Sequence, residues 1–132
     1  MIIIRVAIII FFSISIYAKN IVVDTDTDIH WQDTKLVTKK SWQDAKKYCQ
    51  DLVIDNYKDW ELPTIDQLMT ITDKKKYKPS LKGNFKYFKS DYYWTNSEYV
   101  DDNNLVWTVS FLDGGDFYNN KKNLYYVRCV RK

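Results

Sequence analysis

The chain has only two cysteines, one histidine, three glycines and two prolines among 132 residues. Each scarcity closes off a class of chemistry. With His30 alone, no two-histidine metal motif can be written, and a Cys–His nucleophile pair would have to use one of just two thiols. No Gly-rich phosphate loop is present. Between Lys19 and Lys132 there is no Gly/Ser or Pro-rich linker and no repeat with a period of roughly twenty to fifty residues, so this stretch reads as a single domain. A long membrane span is also missing. The apolar run within Met1–Ala18 is too short to cross a bilayer comfortably, carries one charge at Arg5, and ends in the small residue Ala18 before polar Lys19 and Asn20. That is the pattern of a signal peptide, so residues 1–18 are expected to be removed and 19–132 to form the mature domain, with no stable membrane insertion after cleavage. An uncleaved leader would instead act as an anchor. No cysteine follows the apolar run, so a lipoprotein is not expected.

Export changes how the two cysteines are read. In an oxidising compartment two thiols of a small domain are expected to pair, which makes Cys49–Cys129 a disulfide and places the protein outside the cell, in the periplasm or in the envelope. Nucleic acid is then a poor partner. The formal net charge of +3 says little. Eleven Tyr, five Trp and six Phe give a large load to bury, so the chain is not disordered as a whole.

Ile21–Val23 and Ile29–Gln32 read as short strands, with Lys35–Thr38 as a possible third extended piece. Ser41 followed by Asp44 resembles a helix-capping pair, and Trp42, Ala45, Tyr48, Cys49, Leu52 and Val53 fall on one helical stripe. Thr64 with Gln67 is a second capping pattern, ahead of Ile65, Leu68, Met69 and Thr72. Lys74–Ser90 has no period and reads as a long excursion. Tyr92–Tyr99 and Leu105–Phe111 read as strands, Asp113-Gly-Gly115 as a turn, and Leu124–Arg131 as a terminal strand. The order predicts an α+β domain in which two helices pack on a twisted antiparallel sheet, closed by one disulfide.

Four segments carry a more specific signal. Ser41-Trp-Gln-Asp-Ala-Lys-Lys-Tyr-Cys49, Asp59-Trp-Glu-Leu-Pro-Thr64, Tyr93-Trp-Thr-Asn-Ser97 and Tyr126-Val-Arg-Cys-Val-Arg131 occur in an order and spacing that resemble the Lcl C-terminal domain family, named for the terminal domain of a bacterial collagen-like adhesin. Ile29-His-Trp-Gln-Asp33 resembles its early L-x-W-Q-D strand. The resemblance implies a fold related to the C-type-lectin-like and sulfatase-modifying-factor group, in an exported bacterial protein. The adhesin member is associated with sulfated glycosaminoglycans and with trimers. This chain departs from the pattern at Glu61, where the family has Arg, and has no collagen-like segment, which puts a trimer in doubt.

Candidate chemistry is sparse. Asp24-Thr-Asp-Thr-Asp28 fails as an EF-hand loop, because Ile29 and Lys35 occupy the positions that need Gly and Glu. A looser calcium site there competes with simple turn capping. The lectin triplets Glu-Pro-Asn and Gln-Pro-Asp are absent. We expect no catalytic residue, no metal and no cofactor. The strongest candidate is Lys74, Lys75, Lys76, Lys78, Lys82, Lys86 and Lys89, uninterrupted by any acid and interleaved with Tyr77, Phe85, Tyr87 and Phe88. Such a run attracts sulfate- or phosphate-bearing polymers; a merely solvated loop written in A/T-rich codons is the plainer alternative. Lys121 and Lys122 are expected to join that face if it is real. Trp94 and Trp107 are expected on neighbouring strands, facing each other across a ladder. The function expected is a non-catalytic binding module adhering to acidic or sulfated polysaccharide. The alternative is an envelope domain docking onto a protein partner.

Overall fold

Two short apolar stretches flank the polar Asp/Thr turn and close into an antiparallel hairpin of β1 (Ile21–Asp24) and β2 (Ile29–Gln32). The computed structural model describes residues 2–10 and 19–132, so the expected cleavage after Ala18 lies outside the described residues. Among them, no helix is long and apolar enough to cross a membrane. Asp24 holds the turn with both carboxylate oxygens, accepting the Asp26 N–H at 3.2 Å and the Thr27 hydroxyl at 3.0 Å. Asp28 takes a φ of 63°, a conformation Asp tolerates better than most residues.

Helix α1 (Trp42–Asp51) begins where its cap predicts, with the Ser41 hydroxyl accepting from Asp44 N–H. Trp42, Ala45 and Cys49 are buried. The stripe nevertheless overran the helix: Leu52 is already extended, and Val53 is 54% exposed. Helix α2 (Ile65–Met69) is a short piece held by a complete capping box between Thr64 and Gln67. Lys35–Thr38 forms no strand; Lys40 alone bridges to Tyr125.

The strands do not form one sheet with both helices on it, as the sequence predicted. β3 (Tyr92–Glu98), β4 (Leu105–Ser110) and β5 (Asp116–Asn120) make one antiparallel sheet, while β6 (Val130–Arg131) pairs with β2 in a second, ordered β1-β2-β6. The expected long terminal strand therefore divides its allegiance. Tyr126 bonds the main chain of Tyr92 and Trp94, and four residues later Val130 pairs with Trp31 and Glu61. Between these points Arg128 turns inward and needs polar partners that a regular ladder would not supply.

Alternate residues of the larger sheet enter two separate cores. Trp94 and Val106 pack with Trp42, Ala45 and Cys49 of α1, Trp60, Leu62 and Val127. Tyr93 and Val109 pack with Leu68 of α2, Trp31, Leu81, Phe85, Phe111 and Val130. The expected Trp94–Trp107 pairing is not found. Trp94 registers with Thr108, so Trp107, one residue earlier, projects to the opposite face and opposes Tyr118 on β5.

Cys49 and Cys129 are bonded, as the sequence predicted, and the link spans 80 residues. It fastens α1 to the segment entering β6. Closing a loop of that length is worth about 4–5 kcal/mol in the chain-entropy picture. Replacing Cys49 by Ser is expected to cost a stability of that order, measured by urea unfolding without reductant; an unchanged midpoint would contradict it.

Candidate functional site

The lysine segment is a long excursion in secondary structure but not a loose one. Its apolar side chains point in: Leu81 and Phe85 belong to the second core, and Ser80 is buried. Its backbone is tied to the chain just after β4 and after α2. Lys78 and Ser80 donate to the carbonyls of Leu112 and Phe111 just after β4, and Lys82 donates to Ile71 after α2. Gly114, at φ 80°, brings the β4–β5 turn so near that a Cβ would stand 2.7 Å from Ser80 Oγ.

The far end of the segment is held from inside the protein. The buried Asp33 carboxylate accepts Lys86 N–H at 2.9 Å and Tyr87 N–H at 3.0 Å. Beside it lies Arg128, 2% exposed, whose Nη1 is 3.7 Å from Asp33. The guanidinium donates to the carbonyls of Gln32 and Tyr87 and stacks 4.5 Å from the Phe85 ring centre. Tyr93 Oη accepts Lys89 N–H at 2.9 Å. Burial pulls the Arg128 pKa below the ordinary guanidinium value, with Tyr93 and Asp33 acting against it. Burial likewise pushes the Tyr93 phenol up. One carboxylate and one guanidinium thus position Lys86 and Tyr87, and the Tyr93 hydroxyl positions Lys89.

The lysine heads face outward. Lys74, Lys75, Lys76, Lys78, Lys86 and Lys89 are exposed, and none forms a salt bridge to a carboxylate among the described residues. Lys82 differs: it is half-buried and lies 3.7 Å from both Asp24 and Asp26. Lys121 does not contact this group. It pairs with Glu98 at 2.6 Å and lies 4.6 Å from the Trp42 ring centre, beside α1. The arrangement is a set of exposed ammonium groups without carboxylate partners on an anchored backbone.

The remaining candidates have structural occupations. Asp24 spends both oxygens on its turn, and among the described residues no cluster of His, Cys, Asp and Glu could hold a metal. His30 sits with Arg131 and Tyr57, and Arg131 is paired with Asp59 at 2.6 Å. That ion pair holds the Asp59 carboxyl below its usual range. Sequence reasoning missed Asp33 and Arg128 as the anchors of the lysine segment. The signal was there: Arg128 stands between Val127 and Cys129 in a run otherwise destined for the core. It also missed a half-exposed group of Tyr99, Trp107 and Tyr118, in which Tyr99 and Tyr118 stack at 4.6 Å.

The model of the Lcl C-terminal domain matches residues 20–131, covering every element from β1 to β6. No curated protein matches the chain. Asp33→Asn, which leaves Arg128 buried without a counter-charge, is expected to cost about 3–5 kcal/mol. It should also speed hydrogen exchange at the Lys86 and Tyr87 amides; unchanged protection there would remove Asp33 from the anchoring role.

Proposed function

The chain belongs to the Lcl C-terminal domain family, and from that premise we propose that it is an exported, non-catalytic binding module, C-type-lectin-like in fold, that adheres to acidic or sulfated polysaccharide at a cell surface or matrix. The observation that carries this reading is the set of six exposed lysines without carboxylate partners, on a backbone anchored by Asp33 and the second core. Order matters here. A mobile lysine tail loses conformational freedom when it binds, whereas an anchored segment has already lost most of it on folding. Tyr77, 70% exposed, and Phe88, 39% exposed, lie among the lysines and offer ring faces to sugar. Residues 1–18 act as the export signal in this reading, and the mature domain is secreted or held in the periplasm or envelope. Both thiols being tied in the disulfide, and His30 being engaged with Arg131, support a role without chemistry.

A second reading, docking onto an envelope protein, draws on the Tyr99–Trp107–Tyr118 group. Salt separates the two, because polyanion binding releases condensed counterions and so weakens steeply as salt rises. On a sulfated-polysaccharide column the protein is expected to elute above physiological salt. The joint change of Lys74, Lys75, Lys76 and Lys78 to Gln should abolish retention without altering the melting temperature. Elution in the void at low salt would reject the lysine site, and salt-insensitive capture of one stoichiometric protein would favour docking.

A further inference from the structure

We propose that β5 is an interaction edge on which a second copy of this chain pairs antiparallel, giving a two-fold dimer. The strand lies at the border of its sheet, with β4 its one neighbouring strand among the described residues. Which main-chain groups face outward follows from the ladder. Ser110 N–H donates to Gly115, and Lys121 N–H donates to Asn104, so the odd-numbered residues of β5 bond to β4. Antiparallel geometry then turns the N–H and C=O groups of Asp116, Tyr118 and Asn120 to the open side.

That edge is lightly protected, by its short length and the single charge of Asp116. The strand contains no lysine, no proline and no bulge, and it carries two aromatic side chains in solvent, Phe117 at 42% and Tyr118 at 51% exposure. Asn119 alone is half-buried.

The occupant is identified by the distribution of charge. Asp113 and Asp116 stand at the start of the strand, and Lys122 follows its end. A second copy running antiparallel brings each acidic end against the basic end of the other, whereas a parallel copy would set like charges together. The outward groups select the register. With the two-fold axis at Tyr118, this residue exchanges both main-chain bonds with its own copy, and Asp116 faces Asn120 of the second copy at each end. The Asn120 carbonyl already accepts Asn123 N–H at 3.0 Å, so about four new hydrogen bonds remain, two between the Tyr118 residues and one from each Asn120 N–H to the Asp116 carbonyl of the other copy. Phe117 then opposes Asn119 of the second copy. The same edge accepting an extended segment of a different protein is the competing outcome.

Sedimentation equilibrium of the chain produced with its own leader, disulfide intact, tests the proposal. A dimer is expected as concentration rises, with the Tyr118 amide becoming protected from hydrogen exchange over the same range. Tyr118→Pro removes an outward N–H that makes no bond to β4, so it should abolish the dimer while sparing the ladder. Asp116→Lys, at an exposed position, should weaken the dimer about tenfold or more by setting a positive charge diagonally across from Lys122 of the second copy. A monomer at every concentration overturns the proposal. So does a dimer indifferent to both changes, or a Tyr118 amide protected only when another protein is added.

Discussion

A guanidinium buried against its carboxylate organises the centre of this molecule. Arg128 and Asp33 are both nearly inaccessible, and between them they engage the carbonyls of Gln32 and Tyr87 and the N–H groups of Lys86 and Tyr87. Taking such a pair out of water costs several kcal/mol per ion, which the mutual attraction only partly offsets. Net stability is therefore a poor reason for its presence. Its effect on the path of the chain is clearer: three segments distant in sequence, after β2, along the lysine excursion and before β6, are required to meet at one point. Gln32 strengthens the meeting, its Oε1 accepting Cys129 N–H at 2.9 Å while its amide nitrogen donates to Tyr48 of α1 at 2.9 Å.

The division of the strands into two sheets follows from the same point. The C-terminal segment touches β3 at Tyr126, turns Arg128 inward, delivers Cys129 to α1, and pairs with β2 at Val130. Each of these four attachments reaches a different neighbour, and a straight strand in one ladder would satisfy at most two. The disulfide fixes one of them covalently and so limits how far the others can drift. The lysine segment is then laid over the outside of the second core, with Leu81 and Phe85 as its apolar feet and its ammonium groups in water.

Much of this was legible in the residues. Both helix starts were set by local capping chemistry at Ser41 and Thr64, and the cysteine pairing was expected from the export reading and from there being just two. The four motif segments identified the family. What escaped was whatever depended on distant partners. β5, Asp-Phe-Tyr-Asn-Asn, lacks the apolar alternation of a strand, because its side chains remain largely in solvent and it pairs with β4 alone among the described residues. The stripe that predicted helix as far as Val53 was broken at Leu52 by the extended backbone there. The lysine segment looked unstructured because its order comes from tertiary hydrogen bonds to Asp33, Phe111 and Leu112, which have no local signature. For the same reason the motif residues Asp33 and Arg128 could be recognised as a pattern before their work as anchors was visible.

The proposed function rests on the contrast between a fixed backbone and exposed charged heads, so the rigidity of the segment is the claim on which the rest depends. Backbone amide relaxation by NMR across Lys74–Lys89 measures it directly. Order parameters near about 0.85, equal to those of β4, are the result this account predicts. Values below about 0.6 through the segment would contradict it, leaving the lysines on a mobile loop that Asp33 and Arg128 do not hold.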